Sequence, residues 1–329
     1  MTRREQVRRA IRMQGPDYVP ILFFNKDKEQ SDIIMIDVVR HFGGPNADLS
    51  EWGFRWERKD DTMGQPEAEL IQEWSDFEKL TRPDPFDVSR FDSVAPTMQH
   101  YGDDRYYLAS LVLTGFTVMT FLRGFANTME DFYEEPEHVA RLADAVFQFE
   151  EGIVSQLARQ GFHGVAFFDD WGTQESLLVS PTLWREFFKP RYQRIFDQAH
   201  AAGLDVYFHS CGFIREILPD FVEIGVDMMN VSQPNLFDIE QLGKDLGGKV
   251  CFVCPVSYQT TAISGSKDDI YRDVQRLVDH LGCFRGGLIG YVEEYHSIGL
   301  SSENYRHCVK AFQEIGRYQH SGPSVLGDA

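Results

Sequence analysis

Short apolar runs recur along the chain, each ending in polar residues and each followed by a segment of helical period. The runs are YVPILFFN (18–25), RYYLASLVL (105–113), HGVAFFDD (163–170), LDVYFHSC (204–211), VDMMNVSQ (226–233), KVCFVCPVS (249–257) and GGLIGYVEE (286–294). They are rich in β-branched and aromatic residues and apolar on both faces, as strands of a buried parallel sheet are. Between them, Val139, Leu142, Val146, Phe149, Ile153 and Leu157 follow the i, i+3, i+4 spacing of a helix face over 137–160, which Gly161 ends. Segments 181–202, 213–224, 237–246, 267–282 and 302–318 also read as helices.

Strands alternating with helices imply βαβ units. Seven visible strands, with an eighth placed in the irregular stretch 45–80, predict a (β/α)8 TIM barrel, an α/β fold, as one domain over residues 1–329. A doubly wound open sheet is the competing architecture, but no glycine-rich dinucleotide fingerprint follows the first strand. Residues 45–103, with their Pro, Gly and Trp, read as a long ordered loop region over one barrel end. The first residues predict an amphipathic helix: Thr2 and Glu5 have capping-box spacing, and Val7, Ala10 and Ile11 form its apolar stripe.

Charge narrows the partners. The net charge of −19 repels phosphate backbones and anionic lipid, so neither nucleic acid nor a membrane surface is expected. No apolar run is long enough to span a bilayer, and the N-terminus has no apolar core of a secretory signal. The five cysteines are few for the length and odd in number, which argues against a disulfide framework and for the reducing cytoplasm.

The polar residues at strand ends carry the chemistry, because a barrel gathers its catalytic groups where strands pass into βα loops. These are Asn25, Asp169 and Asp170, His209 and Cys211, Asn230, Ser232 and Gln233, Cys254, and Glu293 and Glu294. Residues two apart in an extended segment share a face, so His209 and Cys211 can address one point. Imidazole nitrogen with thiolate sulfur suits zinc. A hydrogen-bonded core histidine beside an inert cysteine is the competing reading. Cys251 and Cys254 have odd spacing and fall on opposite faces of a strand. The Glu293–Glu294 pair offers a carboxylate as a further ligand, with Cys254 as a rival. One of Asp169 and Asp170 should face the mouth as a general acid or base; the other reading is a helix cap. Trp171 reads as an aromatic wall or as core.

The stretch FFDDWGTQESLLVSPTLW, with its D-D-W-G-T-Q motif, and the H-S-C-G motif resemble the uroporphyrinogen decarboxylase superfamily. The likeness extends to LRGFANTMEDFYEEPEHVARL (122–142), SEWGFRW (50–56) and GGLIGYVEEYHSIGLSSENY (286–305). It is closest to the branch of decarboxylase-like proteins and methylcobamide:thiol methyltransferases, and it implies a (β/α)8 barrel. True uroporphyrinogen decarboxylases carry an arginine-rich motif soon after the first strand, whereas this chain reads VPILFFNKD there. A polyanionic porphyrinogen would lack its ion-pair partners in a protein of this charge.

The resemblance implies zinc held by an H-x-C pair and a distant residue on the last strand. Aligning SSENY with the family's similar segment places that third ligand on Glu294, where the methyltransferases have cysteine. The implied activity is zinc-dependent methyl transfer to a thiol or similar nucleophile of a small-molecule substrate, from a corrinoid on a partner protein or another methyl donor. In that reading Asp169 or Asp170 is catalytic, and Asn25, Trp171, Asn230 and Gln233 bind substrate. The alternatives are a metal-free decarboxylase acting on a less acidic substrate and a non-catalytic barrel that binds a small molecule or a corrinoid partner.

Overall fold

All seven apolar runs form strands, and they pair in parallel around a barrel with an eighth. The computed structural model describes residues 1–41, 48–57 and 64–318. The strands are β1 (Ile21–Phe23), β2 (Ile33–Asp37), β3 (Tyr106–Ser110), β4 (Gly164–Phe168), β5 (Asp205–Ser210), β6 (Met228–Val231), β7 (Cys251–Cys254) and β8 (Leu288–Val292). Every adjacent pair from β2 through β8 is parallel, and β8 pairs in turn with β1.

The eighth strand is Ile33–Asp37, not a segment of 45–80 as the sequence pattern suggested. Only residues 24–32 link it to β1, with a single 3-10 turn at Lys28–Gln30 and no α-helix, so the strand–helix rhythm hides it. The seam between β1 and β2 closes with few ladder bonds. Asp32 donates its amide to the Ile21 carbonyl at 2.9 Å, and its carboxylate accepts the Ile21 amide at 2.8 Å. The Ser31 hydroxyl accepts the Phe23 amide at 3.0 Å. Side chains thus satisfy buried backbone donors that would otherwise be orphaned.

Helices cover the outside. They include α1 (Arg3–Ile11), α2 (Gly115–Arg123), α3 (Pro136–Leu157), α4 (Lys189–Ala201), α5 (Leu218–Glu223), α6 (Ile239–Leu246), α7 (Lys267–His280) and α8 (Ser302–Ile315). The predicted stripe of α3 is buried in full. The segment expected as one helix over 181–202 carries a wide turn at Trp184–Phe188 before α4. Pro190 lacks the amide that a regular turn would need there. The helix expected from residue 213 begins only at Leu218, with Pro219 in its first turn, because the preceding residues build the loop after β5.

The barrel interior is a packed core, not a pore. Leu22, Ile33, Tyr106, Leu108, Ala166, Tyr207, Met228, Cys251, Val253 and Ile289 fill it. Its lower end is closed by α1, whose Val7, Ala10 and Ile11 join that core. Thr2 caps α1 by accepting the Glu5 amide at 3.2 Å. Beyond the helix, Arg12 pairs with Asp205 and, at 2.7 Å, with Asp227. Each fully buried Val, Leu or Phe contributes about 1.5–3 kcal/mol, so this plug is held by packing first and by ion pairs second. Residues 48–57 and 64–77 add Trp52, Phe54, Trp56 and Ile71 to the layer outside α2 and α3; the Trp52 ring meets Phe149 and the Phe54 ring meets Phe121. No helix among the described residues is long and apolar enough to cross a membrane.

Candidate metal centre at the barrel mouth

Strand alternation brings His209 and Cys211 to the same face at the upper end of β5. The turn after them depends on two glycines. Gly212 has φ +83°, and a Cβ there would lie 2.0 Å from the Gly172 carbonyl oxygen. Gly172 is equally confined, since its own Cβ would lie 2.6 Å from the Phe213 amide nitrogen. The loops after β4 and β5 therefore touch backbone to backbone, and Phe213 donates to the Thr173 carbonyl at 2.7 Å. This contact joins the D-D-W-G and H-S-C-G motifs.

One consequence is the position of Asp170. Its carboxylate accepts the Cys211 amide at 2.8 Å and lies 3.6 Å from His209 Nε2. Cys211 Sγ lies 3.5 Å from the same Nε2. One ligand atom each from Asp170, His209 and Cys211 falls within 4.8 Å of the others, and Asp170 opens to solvent. His209 Nδ1 meets Asn230 Oδ1 at 2.5 Å, while Asn230 Nδ2 donates to the Val253 carbonyl at 2.7 Å. Ser232 Oγ lies 3.5 Å from Cys211 Sγ, and Gln233 accepts the Gly212 amide at 2.7 Å. Burial works against a charged imidazole, but the Cys211 sulfur and the Asp170 carboxylate outweigh it and raise His209 to about 9.

An imidazole, a thiol and a carboxylate with one approach left open fit zinc. The ring nitrogen turned away from the group is held by a fixed amide, as outer-shell partners of metal-bound histidines are.

The other expected site residues lie elsewhere. Asp169 does not face the mouth. Its buried carboxylate caps α2, accepting the Phe116 amide at 2.9 Å, the Thr117 amide and hydroxyl at 2.8 Å each, and the Tyr192 hydroxyl. Desolvation raises it to about 7 despite those donors. Glu150 of α3 lies behind it, accepting the Gly115 amide at 2.7 Å, and burial pushes its carboxyl well up. Trp171 is core rather than wall: it is fully buried, stacked 4.7 Å from Phe116, and its indole N–H donates to the Tyr192 hydroxyl at 3.2 Å.

Glu294 is not in the cluster, because its carboxylate turns to Lys26. Asn25 clamps the Glu294 backbone instead of facing the mouth, accepting its amide at 2.8 Å and donating to its carbonyl at 3.2 Å. Asn230 and Gln233 support the His209 ring and the Gly212 turn, so their bonds go to protein. Cys254 faces outward into the helix layer while Cys251 faces the interior, as their spacing requires.

The sequence pattern missed several groups at the mouth. Asp37 ends β2 and is bonded by Ser110; desolvation raises its carboxyl pKa. An acid closing the apolar run IIMID was the available signal. Glu293 faces inward, where its carboxylate accepts the Tyr291 hydroxyl at 2.6 Å. Tyr258 and Tyr295 stand beside it with ring centroids 4.3 Å apart; nothing in their local sequence marked them.

Similarity to known proteins agrees with this architecture. No curated protein matches the chain. Among solved structures, a methyltransferase from Methanosarcina mazei superposes with a TM-score of 0.69, covering 95% of this chain and 99% of that one at 14% identity. A D-psicose 3-epimerase from Clostridium cellulolyticum H10 covers 88% of this chain and 89% of its own with a TM-score of 0.47 at 9% identity. The first likeness shows the barrel fold. The family described as uroporphyrinogen decarboxylase (URO-D) matches residues 49–310, a span that holds both touching loops and the cluster they build. The chain belongs to the uroporphyrinogen decarboxylase family.

Proposed function

We propose that the protein is a zinc-dependent methyltransferase whose metal ligands are His209, Cys211 and Asp170. The observation that carries this is the convergence of those three groups on one point, with Asn230 holding the outer nitrogen of the imidazole. A dication there would lower the pKa of a substrate thiol, giving the nucleophile at neutral pH. The chain's own residues fix the rest. Asn230 sets the ring plane of His209, the Gly172–Gly212 contact fixes Cys211 against Asp170, and Ser232 supports the cysteine sulfur. The nucleophile's electron pair forms the new bond to the methyl carbon as the donor keeps the pair of the bond that breaks. A corrinoid on a partner protein is the donor we favour, and the thiol proton leaves through the open side of the group, where Asp170 meets solvent.

Metal analysis of the purified protein tests this reading. Stoichiometric zinc that falls away in Cys211→Ser is the expected result. Full activity on a natural substrate after complete metal removal would overturn it and favour the metal-free decarboxylase.

A further inference from the structure

Past Phe168 the end of β4 has lost its strand neighbour on one side. β3 stops at Ser110, and the chain then turns into α2. In a ladder, successive amides face opposite neighbours. The Asp169 amide faces β5 and donates to the His209 carbonyl at 3.1 Å. The Asp170 amide faces the side that β3 has vacated. Two threonines around the start of α2 stand in for the missing strand. Thr114 donates its amide at 3.0 Å and its hydroxyl at 3.1 Å to the Phe168 carbonyl. Thr117 accepts the Asp170 amide on its hydroxyl oxygen at 3.2 Å.

The Thr117 hydroxyl makes two bonds at once. It donates to the Asp169 carboxylate at 2.8 Å while it accepts from Asp170. A hydroxyl has one proton to give and lone pairs to receive, so the two bonds are compatible. Capping α2 alone would need only the Thr117 amide, which already donates to Asp169 at 2.8 Å. The acceptor bond is additional, and its partner is the backbone of a proposed metal ligand.

Asp170 has little else to hold it. Its side chain is 52% exposed, so packing does not fix its direction. Its carboxylate is steadied by the Cys211 amide at 2.8 Å, and its amide by Thr117. One hydroxyl thus ties the buried aspartate of the D-D-W-G motif to the one that opens to the mouth.

We propose that Thr117 is a positioning residue: by fixing the backbone at Asp170, it sets where that carboxylate stands against His209 and Cys211. The consequence for metal binding rests on the zinc reading of that group.

Competition with a chelator for zinc, on the full chain, tests this. Valine keeps the branching of threonine without its hydroxyl, and Asp169 keeps three of its four donors, so Thr117→Val should fold. Its zinc affinity should fall about tenfold, the lower end of what losing such a support costs. Thr117→Ala, the second variant, should show the same loss, and Thr117→Ser should restore wild-type affinity. A double-mutant cycle separates positioning from general damage. In an Asp170→Ala background, Thr117→Val should change zinc affinity by less than about twofold. Unchanged affinity in Thr117→Val, or an equal loss with and without the Asp170 side chain, overturns the inference.

Hydrogen exchange of the metal-free protein separates this proposal from the zinc reading. Exchange at the Cys211 amide should quicken in Thr117→Val and return to the wild-type rate in Thr117→Ser. A wild type that binds no zinc but shows this pattern sinks the zinc reading and keeps the positioning role. Zinc binding by the wild type with exchange indifferent to Thr117 sinks the positioning role alone.

Discussion

The Nδ1 atom of His209 lies 2.5 Å from Oδ1 of Asn230. The amide cannot turn over, because its nitrogen is committed to the Val253 carbonyl. Nδ1 therefore carries a proton, and Nε2 is the atom presented to Cys211 and Asp170. Asn230→Leu should keep the barrel and lose this orientation. Zinc affinity is expected to fall about 10- to 100-fold, the usual effect of removing such a support, in a competition titration with a chelator.

The ligand set itself is open to a paired comparison. Asp170 lies 3.6 Å from the imidazole, whereas Glu294 is held by Lys26 and Asn25. Asp170→Ala should weaken zinc binding at least about tenfold, and Glu294→Gln should leave it within about twofold. The reverse order of effects would return the third ligand to the last strand. Metal content after dialysis against a weak chelator reads the difference.

Gly212 is a place where a single methyl group should disrupt the site. Its positive φ alone strains an alanine, and the added carbon would meet a carbonyl oxygen at 2.0 Å. Gly212→Ala should cost about 1–3 kcal/mol from strain alone and separate the two loops. Loss of zinc stoichiometry with retained far-ultraviolet circular dichroism would mark a local effect, as expected for a contact confined to the mouth.

At the other end of the barrel, pH enters through Asp227 and His200, which meet at 2.8 Å. The bond to Asp227 raises His200, more than burial lowers it. For Asp227 burial works upward, but His200, the Val206 amide and Arg12 outweigh it and hold its carboxyl below the ordinary range. The aspartate's contribution is present above its ordinary value of 3.8 and is lost as pH falls through its lower folded value. The histidine's contribution is present below its ordinary 6.5 and is lost as pH rises through its higher folded value. Their support is therefore greatest between those limits. Urea unfolding should show Asp227→Asn most destabilised near pH ~5 and less so near pH ~8. Because His200 is partly exposed, the difference between the two pH values should be under about 1 kcal/mol.

The fold was largely readable because burial and periodicity act locally. Both sides of each parallel strand are covered, so each run is apolar throughout, and the face of α3 follows from spacing alone. β2 escaped because it follows β1 with only a 3-10 turn and no α-helix between. The H-x-C pair was legible since two residues of one strand share a face whatever surrounds them. Asp170 against Asp169 was not, because their sides are decided by what each carboxylate meets: four donors around α2 and Tyr192 take the first, and the Cys211 amide takes the second. Glu294 was misplaced for a similar reason. An alignment fixes its position along the chain but not the pull of Lys26 across the barrel seam.

The packed barrel interior, closed below by the first helix, leaves the upper mouth as the side from which the site is reached. With Val7, Ala10 and Ile11 wedged beneath the strands, and Arg12 fastened to two aspartates, nothing can pass through from below. Whatever reaches His209, Cys211 and Asp170 must arrive and depart from above, so in the proposed methyl transfer a donor and an acceptor would share that space or take turns in it.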